Sequence, residues 1–262
     1  MKPEIKITII GAGNLATQLG LTLYNEGYFI SQVYSHKLKN AVLLAKRIKG
    51  EAISDLKKLS ADSSIYIIAV KDDAIESVAG QLNLKDKIVV HTSGSIPIDV
   101  LKNCSKNYGV FYPLQTFSKE KSVDFKTIPI CIEANNSKTS TTLKYFAKSI
   151  SENVKKVNSE QRKKIHLAAV FACNFSNYMY VVAEKLLKKE KLSLDLLKPL
   201  IEETSFKIKN YSPASVQTGP AIRKDKKTME AQVKLLSKDK DLQKIYTLLS
   251  ESIGRISPLR SK

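Results

Sequence analysis

The chain has 262 residues, of which 43% are hydrophobic and 26% are charged. That composition is typical of a globular protein large enough to bury a core without disulfide or metal staples, and it argues against extensive disorder and fibrous structure. Lys and Arg number 43 against 25 Asp and Glu, which gives a formal net charge of +18. Such an excess is compatible with binding to nucleic acid, to a membrane surface or to an anionic small molecule.

The spacing of the cysteines and the length of the apolar runs bear on metal binding, location and membrane insertion. The three cysteines, Cys104, Cys131 and Cys173, are widely spaced and form no CxxC pair, so the sequence predicts neither a disulfide framework nor a metal site. A reducing, cytoplasmic location is expected. The apolar run of residues 7–10 is too short for a signal peptide, and no stretch approaches about 18 uninterrupted apolar residues, so we expect no membrane-spanning segment.

The first half of the chain alternates short apolar runs with amphipathic stretches, which is the pattern of strands and crossover helices in a parallel sheet. The predicted strands lie near residues 6–10, 29–34, 51–53, 64–70, 87–91, 108–112 and 128–133. The predicted helices lie near residues 14–26, 38–49, 74–82, 97–102 and 140–151.

The second half of the chain lacks this alternation. Its predicted helices lie near residues 161–188, 194–210, 226–236 and 241–253. The predicted fold is therefore an α/β Rossmann-like doubly wound sheet over residues 1–155, followed by an all-α domain over residues 156–262.

A glycine-rich turn separates the first strand from the first helix. Its sequence, Gly11-Ala12-Gly13-Asn14-Leu15-Ala16, has the spacing G-x-G-x-x-A. Gly11 allows a tight turn, Gly13 lets a pyrophosphate approach the backbone, and Ala16 lets the helix pack close to the sheet. The N–H groups of the helix start, at Asn14 and Leu15, are free to bind phosphate. A turn of this kind can be merely structural, but its place in a β-α-β unit favours a dinucleotide site.

The end of the second strand indicates which dinucleotide binds. NAD enzymes usually carry Asp or Glu about 20 residues after the glycines, where it bonds the ribose hydroxyls. Here residues 33–39 contain no carboxylate. Ser35 can bond a 2′-phosphate while His36 and Lys37 offer positive charge, so NADP(H) is favoured. The alternative is that His36 and Lys37 are a solvated turn in a lysine-rich protein.

Two further loops are expected at the same crevice, because ligands of such sheets lie beyond the carboxyl ends of the strands. Val70 ends the fourth strand, and Thr92, Ser93 and Gly94 follow the fifth. These residues are predicted to position the ribose or nicotinamide. We expect a structural role for His91, since a histidine at a strand end is more often structural than catalytic.

Several segments together resemble one protein family. They are residues 11–16, residues 70–75, residues 91–95, residues 112–117, His166-Leu167-Ala168-Ala169 with Asn174, and Thr218-Gly219-Pro220 with Arg223 and Asp225. The family they resemble has an N-terminal Rossmann-like NADP-oxidoreductase domain and a C-terminal helical domain of unknown function, number 2520. It is related to pyrroline-5-carboxylate reductases and to 6-phosphogluconate dehydrogenase-like reductases.

The resemblance covers nearly the whole chain and implies an NADP(H)-dependent oxidoreductase that forms a homodimer through its helical domain. Two positions depart from the family pattern. A histidine commonly stands where this chain has Tyr112, and another where it has Gln232. If either histidine is catalytic in relatives, the activity of this chain differs from theirs.

Reduction of a carbonyl or imine by NADPH needs a nearby proton donor. His166, Val170 and Asn174 recur every four residues in the long predicted helix and are expected on one face. Related β-hydroxyacid-type reductases carry a lysine where this chain has Val170, so the resemblance leaves His166 as the expected acid and Asn174 as a residue that orients substrate. The alternative is that His166 and Asn174 are buried polar groups that satisfy each other or the backbone.

Arg223 and Tyr112 are the candidate substrate-binding residues. Arg223 is one of five arginines and follows the Thr-Gly-Pro turn, where its guanidinium could clamp a substrate carboxylate. The alternative is a pair between Arg223 and Asp225 that fixes the loop or a dimer contact.

The leading hypothesis is an NADPH-dependent reductase of a small keto or imino acid, with a carboxylated small molecule as its partner. The alternative is an NADP-binding sensor or scaffold without turnover, which the departures at Tyr112, Val170 and Gln232 favour. The lysines occur in short sets without a recognition motif, so no specific nucleic-acid partner is expected.

Overall fold

The computed structural model describes residues 5–256 and divides into two compact units, residues 1–176 and 177–262. This division lies beyond the boundary predicted between residues 155 and 156. The difference arises because the start of the long helix contacts loops of the sheet, as described below for Arg162 and His166.

One eight-stranded sheet organises the first unit, with the strand order β3-β2-β1-β4-β5-β6-β7-β8. The strands are β1 (Lys6–Ile10), β2 (Phe29–Tyr34), β3 (Glu51–Ile53), β4 (Ile65–Ile68), β5 (Ile88–His91), β6 (Asn107–Pro113), β7 (Ile130–Ala134) and β8 (Val154–Lys156). All neighbouring pairs are parallel except β6 and β7. Strand β1 pairs with β2 on one side and β4 on the other, so the order reverses at β1, which is the position where such sheets bind ligands.

Helices cover both faces of this sheet. They are α1 (Asn14–Asn25), α2 (Leu38–Ile48), α3 (Asp72–Ala79) and α4 (Ser137–Lys148). One apolar cluster contains side chains from α1, α2 and α4, and a second contains side chains from α3 on the other face. Every residue of β4 is buried, as a strand between two helical layers requires. This arrangement confirms the predicted fold class.

Local differences from the predicted elements have simple causes. The helix predicted over 97–102 is a single 3-10 turn, Ile98–Leu101, which directly follows Pro97. Strand β8 was not predicted, because its three residues, Val154–Lys156, include two lysines and have no apolar run.

The predicted long helix spans Ser159–Lys189 but contains an irregular turn. Helix α5 (Ser159–Ala169) begins with a capping box between Asn158 and Gln161, and α6 (Ser176–Lys189) continues it. Between them Val170–Phe175 form a π-helical turn. By length and composition alone this helix could span a bilayer, although core helices of other proteins meet the same criterion.

The second unit is helical, as predicted. After α6 come α7 (Lys198–Asn210), α8 (Lys226–Leu235) and α9 (Lys240–Gly254). Asp225 caps α8 by accepting a hydrogen bond from the Thr228 N–H. Within the described part of this unit only Ala221 is buried. These helices therefore leave their apolar faces uncovered.

Candidate active site

The loops that follow β1, β2, β4 and β5 line up at the carboxyl edge of the sheet. Hydrogen bonds beyond the strand ends hold them there: the Gly11 N–H donates to the Tyr34 carbonyl at 2.8 Å, and the Ala69 N–H donates to the Ile10 carbonyl at 2.8 Å. The Thr92 N–H donates to the Ile68 carbonyl at 3.1 Å. The sequence-distant loops thereby form one cleft.

The glycine turn lies at the centre of this cleft. Gly11 has a φ of +134°, and a Cβ built on it would lie 2.2 Å from the Ala69 carbonyl oxygen. Gly13 is the N-cap residue before α1 and offers no side-chain hydrogen bond, and the first turn of α1 holds no acidic residue. The free N–H groups of that turn therefore keep their affinity for an anion.

The cleft has a volume of about 780 Å³, large enough for a cofactor. Nine of the predicted cofactor residues line it: Gly11, Gly13, Asn14, Leu15, Ser35, His36, Lys37, Val70 and Thr92. Ser93 and Gly94 do not line it but follow Thr92 directly. Lys71 lines the cleft as part of the loop predicted there, and Asn40 and Lys119, which were not predicted, line it as well.

The lining contains basic residues and no acidic one. It includes His36, Lys37, Lys71 and Lys119, and no lining residue is Asp or Glu. A bound dinucleotide carries several negative phosphate charges, which this wall complements. The absence of a carboxylate beside the second strand is thus a property of the whole cleft, not of that strand alone.

His91, at the end of β5, bonds the loop of residues 92–96. Its ring is fully buried, and Nδ1 accepts a hydrogen bond from the Ser93 N–H at 3.2 Å, so Nε2 carries the proton. Among the described residues Nε2 has no hydrogen-bond partner. Burial, followed by the positive charge of Arg162, lowers the pKa of His91 from 6.5 to about 4. A neutral imidazole in this place fits the structural role predicted for it.

Tyr112 and His166 form a hydrogen-bonded pair next to this loop. The Tyr112 hydroxyl lies 3.1 Å from His166 Nδ1, and the two rings meet edge to face with centroids 6.2 Å apart. A Cβ built on Gly94 would lie 2.8 Å from both His166 Nδ1 and Tyr112 Cζ. Burial raises the pKa of Tyr112 to about 12, so its hydroxyl stays protonated at neutral pH. Only a glycine at position 94 lets the loop approach this pair so closely.

Arg162 ties the same elements together and was not singled out in the sequence. Its side chain is fully buried and forms an ion pair with Glu133 on β7. Its Nε donates to the Ser93 carbonyl at 3.1 Å, and an Nη donates to the Ile96 carbonyl. Glu133 also accepts from the Ser159 N–H at 2.9 Å. Arg162 therefore fixes the loop after β5 against the helix that carries His166 one turn later.

The remaining predicted residues occupy different settings. Asn174 is exposed and lies in the π-helical turn. The prediction that residues four apart share one face of the helix assumes α-helical geometry, which does not hold from Val170 onward. In an uninterrupted α-helix His166 and Asn174 would differ by about 80° around the axis. The wider π turn rotates each residue by less than an α turn does and reduces that angle.

Arg223 and Gln232 lie in the second unit. Arg223 precedes Lys224, which has a φ of +57°. The pKa of Asp225 is lowered mainly by the hydrogen bonds from Thr228, and the positive charge of Arg223 lowers it further. The Gln232 side chain accepts a hydrogen bond from the Tyr246 hydroxyl. In this chain Gln232 thus joins α8 to α9.

The sheet, the glycine turn and the positive cleft together define a dinucleotide-binding oxidoreductase fold. The family model described as NADP oxidoreductase coenzyme F420-dependent matches residues 6–94, and the one described as domain of unknown function 2520 matches residues 128–253. The chain belongs to the family of NADP oxidoreductases that carry this C-terminal domain, and its cofactor is NADP(H). A comparison with curated proteins gave no match.

Solved structures agree with this assignment. A candidate NADP oxidoreductase from Bacteroides fragilis is 44% identical, with 96% of this chain and 98% of that chain covered and a TM-score of 0.90. A pyrroline-5-carboxylate reductase from Coxiella burnetii is 17% identical over 96% of both chains, with a TM-score of 0.57. An imine reductase from Myxococcus stipitatus in complex with NADP+ is 12% identical over 95% and 91%, with a TM-score of 0.61. The last two show a shared fold.

Two glycine substitutions separate folding from cofactor binding. Gly11→Ala places its Cβ against the Ala69 carbonyl and should lower the free energy of unfolding by at least about 2 kcal/mol. A Cβ on Gly13 meets no atom within 4 Å, so Gly13→Ala should keep its stability but weaken NADPH binding about tenfold. Urea unfolding and fluorescence titration with NADPH measure the two effects. Equal stability losses in the two variants would contradict this assignment.

The low pKa of His91 predicts a pH-dependent stability. The pKa of His91 is about 4 in the folded protein and near 6.5 in the unfolded chain. The contribution of the neutral His91 to the free energy of unfolding is therefore fully present above pH 6.5 and is lost as the pH falls towards 4. The loss is expected to reach roughly 3 kcal/mol. His91→Asn should flatten this slope in urea unfolding between pH 7 and 4, whereas His36→Gln, at an exposed site, should leave it unchanged. A slope retained in His91→Asn would contradict the prediction.

Proposed function

We propose that the chain reduces a small carboxylated keto or imino compound by hydride transfer from NADPH. One observation carries this proposal: Thr92 lines the dinucleotide cleft, and Gly94, two residues later, contacts the Tyr112–His166 pair. Two side chains that can carry a proton thus lie beside the loop that borders the cleft. The names of the imine reductase and the pyrroline-5-carboxylate reductase support a carbonyl or imine acceptor.

NADPH supplies the hydride that adds to the carbon of the C=O or C=N bond. The protein must supply the proton that the oxygen or nitrogen takes up as the double bond becomes single. His166 gives this proton from Nε2, because Nδ1 faces Tyr112. A phenol hydroxyl both donates and accepts hydrogen bonds, so Tyr112 holds the imidazole before and after the transfer. Because its hydroxyl is bonded to His166 Nδ1, Tyr112 takes the part of a positioning residue in this proposal.

Asn174 is the residue proposed to orient the substrate, and the carboxylate-binding role of Arg223, which lies in the second unit, stays a prediction. Asn174, exposed in the π turn, offers an amide that can orient the acceptor. Arg223 supplies a planar guanidinium of the kind that binds carboxylates in a bidentate manner. The π-helical turn that contains Asn174 is of a kind that often occurs at functional sites, which favours Asn174 over its exposed neighbours.

We also infer that the working form is a homodimer in the cytoplasm, assembled through the helical domain. Large apolar side chains of the long helix are exposed, among them Leu167 at 58%, Phe171 at 62% and Phe175 at 49%. In the described part of the second unit the helices bury almost nothing by themselves. Helices in water gain most of their stability by covering an apolar face, and a second copy offers matching faces.

The competing function is a sensor or scaffold that binds NADP(H) without turnover. Val170 stands where related reductases carry a lysine, and Gln232 is engaged with Tyr246. The alternative therefore predicts cofactor binding with no NADPH consumption on any small acid.

A screen of small keto and imino acids, followed by NADPH absorbance, tests the proposal. Turnover is expected on at least one compound, and His166→Gln should lower its rate about a hundredfold or more while the NADPH affinity changes less than about twofold. Tyr112→Phe should lower the rate by less and shift its pH profile, because it frees the imidazole without removing it. Tyr145→Phe, at an exposed site on α4, is the matched control for Tyr112→Phe and should retain the rate.

The outcomes separate the two functions. If no compound in the screen is reduced, the sensor hypothesis replaces the reductase hypothesis. If turnover persists in His166→Gln, the chain is a reductase in which another group gives the proton.

A further inference from the structure

A segment that follows β6 crosses the first turn of α1. We name residues 115–121 the strap. The Asn14 side-chain amide donates to the Phe117 carbonyl at 2.9 Å, and the Gln18 side-chain amide donates to the Ser118 carbonyl at 2.7 Å. Asn14 and Gln18 are four residues apart, so they lie on the same face of α1. The strap is therefore held over the helix start that forms the phosphate end of the cleft.

Two further contacts restrict the strap. Phe117 stacks on Phe125, which is buried, with ring centroids 5.7 Å apart and planes at 22°. Gln18 also approaches the Lys119 carbonyl, at 3.3 Å. The strap is thus held by α1 at Ser118 and Lys119 and by the core at Phe117.

The Lys119 side chain lines the dinucleotide cleft. It is half-buried, whereas Lys37 and Lys71 in the same wall are exposed. Within residues 5–256 no carboxylate forms an ion pair with its ammonium group. A partly desolvated cation without a carboxylate partner binds an anion more strongly than a solvated one.

The position of Lys119 indicates which anion it meets. The N–H groups of the first turn of α1 are uncapped, and this turn is where the fold binds a pyrophosphate. The 2′-phosphate is expected instead beside Ser35, His36 and Lys37, on the loop after β2. The strap is bonded to α1 and not to that loop.

We propose that Lys119 binds the pyrophosphate of NADP(H), and that Asn14 and Gln18 position it by holding the strap on α1. The proposal rests on the assignment of the cleft as the NADP(H) site. It gives Asn14 a second role beside the one predicted from the glycine motif: its side chain anchors the strap while its N–H remains free for phosphate.

The test compares Lys119→Met with Lys121→Met, a substitution of another lysine of the strap that does not line the cleft. Fluorescence titrations with NADPH and with NADH give the dissociation constants. Lys119→Met should weaken both nucleotides about tenfold, by the same factor, because both contain the pyrophosphate. Lys121→Met should change neither more than about twofold, and Lys37→Met should weaken NADPH selectively.

Gln18→Leu tests the positioning role with Lys119 intact. It should weaken both nucleotides, and the double variant with Lys119→Met should bind as Lys119→Met alone does, because a released strap no longer delivers a cation. Additive losses would overturn the role of Gln18. Thermal unfolding of each variant confirms that it is folded.

The other outcomes are decisive as well. Unchanged affinity in Lys119→Met would overturn the proposal while leaving the NADP(H) site in place. A loss confined to NADPH would move Lys119 to the 2′-phosphate and overturn the pyrophosphate assignment. If the unsubstituted chain bound neither nucleotide, the cofactor assignment itself would be wrong, and the role of Lys119 with it.

Discussion

The buried ion pair between Arg162 and Glu133 is the constraint on which the candidate site depends. Arg162 is wholly buried and bonds the Ser93 carbonyl, while Glu133 holds the first residue of α5. Removing one partner of such a pair typically costs about 3–5 kcal/mol, because the other charge is left buried. The pair sets the distance between the helix of His166 and the loop after β5, so His166 and the cofactor cleft keep a fixed relation.

Electrostatics acts at two ranges in this molecule. The net charge of +18 gives a general positive field that attracts polyanionic ligands. Most lysines are solvated, however, and do not indicate which ligand binds. The cleft is more specific, because its lining combines four basic residues with no carboxylate. Binding of NADP(H) is therefore expected to depend on the placement of a few basic groups in the cleft, and the surface charge affects mainly solubility and encounter.

How much the sequence predicted depends on the range of the contacts. The glycine turn and the missing acid near Ser35 are local signals, and they located the cleft and the cofactor. Lys119 could not be found in this way, since the strap reaches α1 through contacts about a hundred residues apart in sequence. Arg162 was not predicted either, because it is followed by lysines in a polar helix start. The presence of an arginine there is only a weak indication of a buried ion pair. The π turn at Asn174 has no recognisable signature in an apolar helical run.

The central claim is that the nicotinamide end of the cofactor lies beside His166, while His36 lies at the adenosine end. The chain has three histidines, so their side-chain nitrogen resonances can be assigned by substitution and followed by NMR. Saturation with NADP+ and then with NADPH changes only the nicotinamide. The account predicts that the His166 resonances differ between the two complexes while those of His36 coincide. Identical His166 resonances in both complexes, or a difference confined to His36, would contradict it.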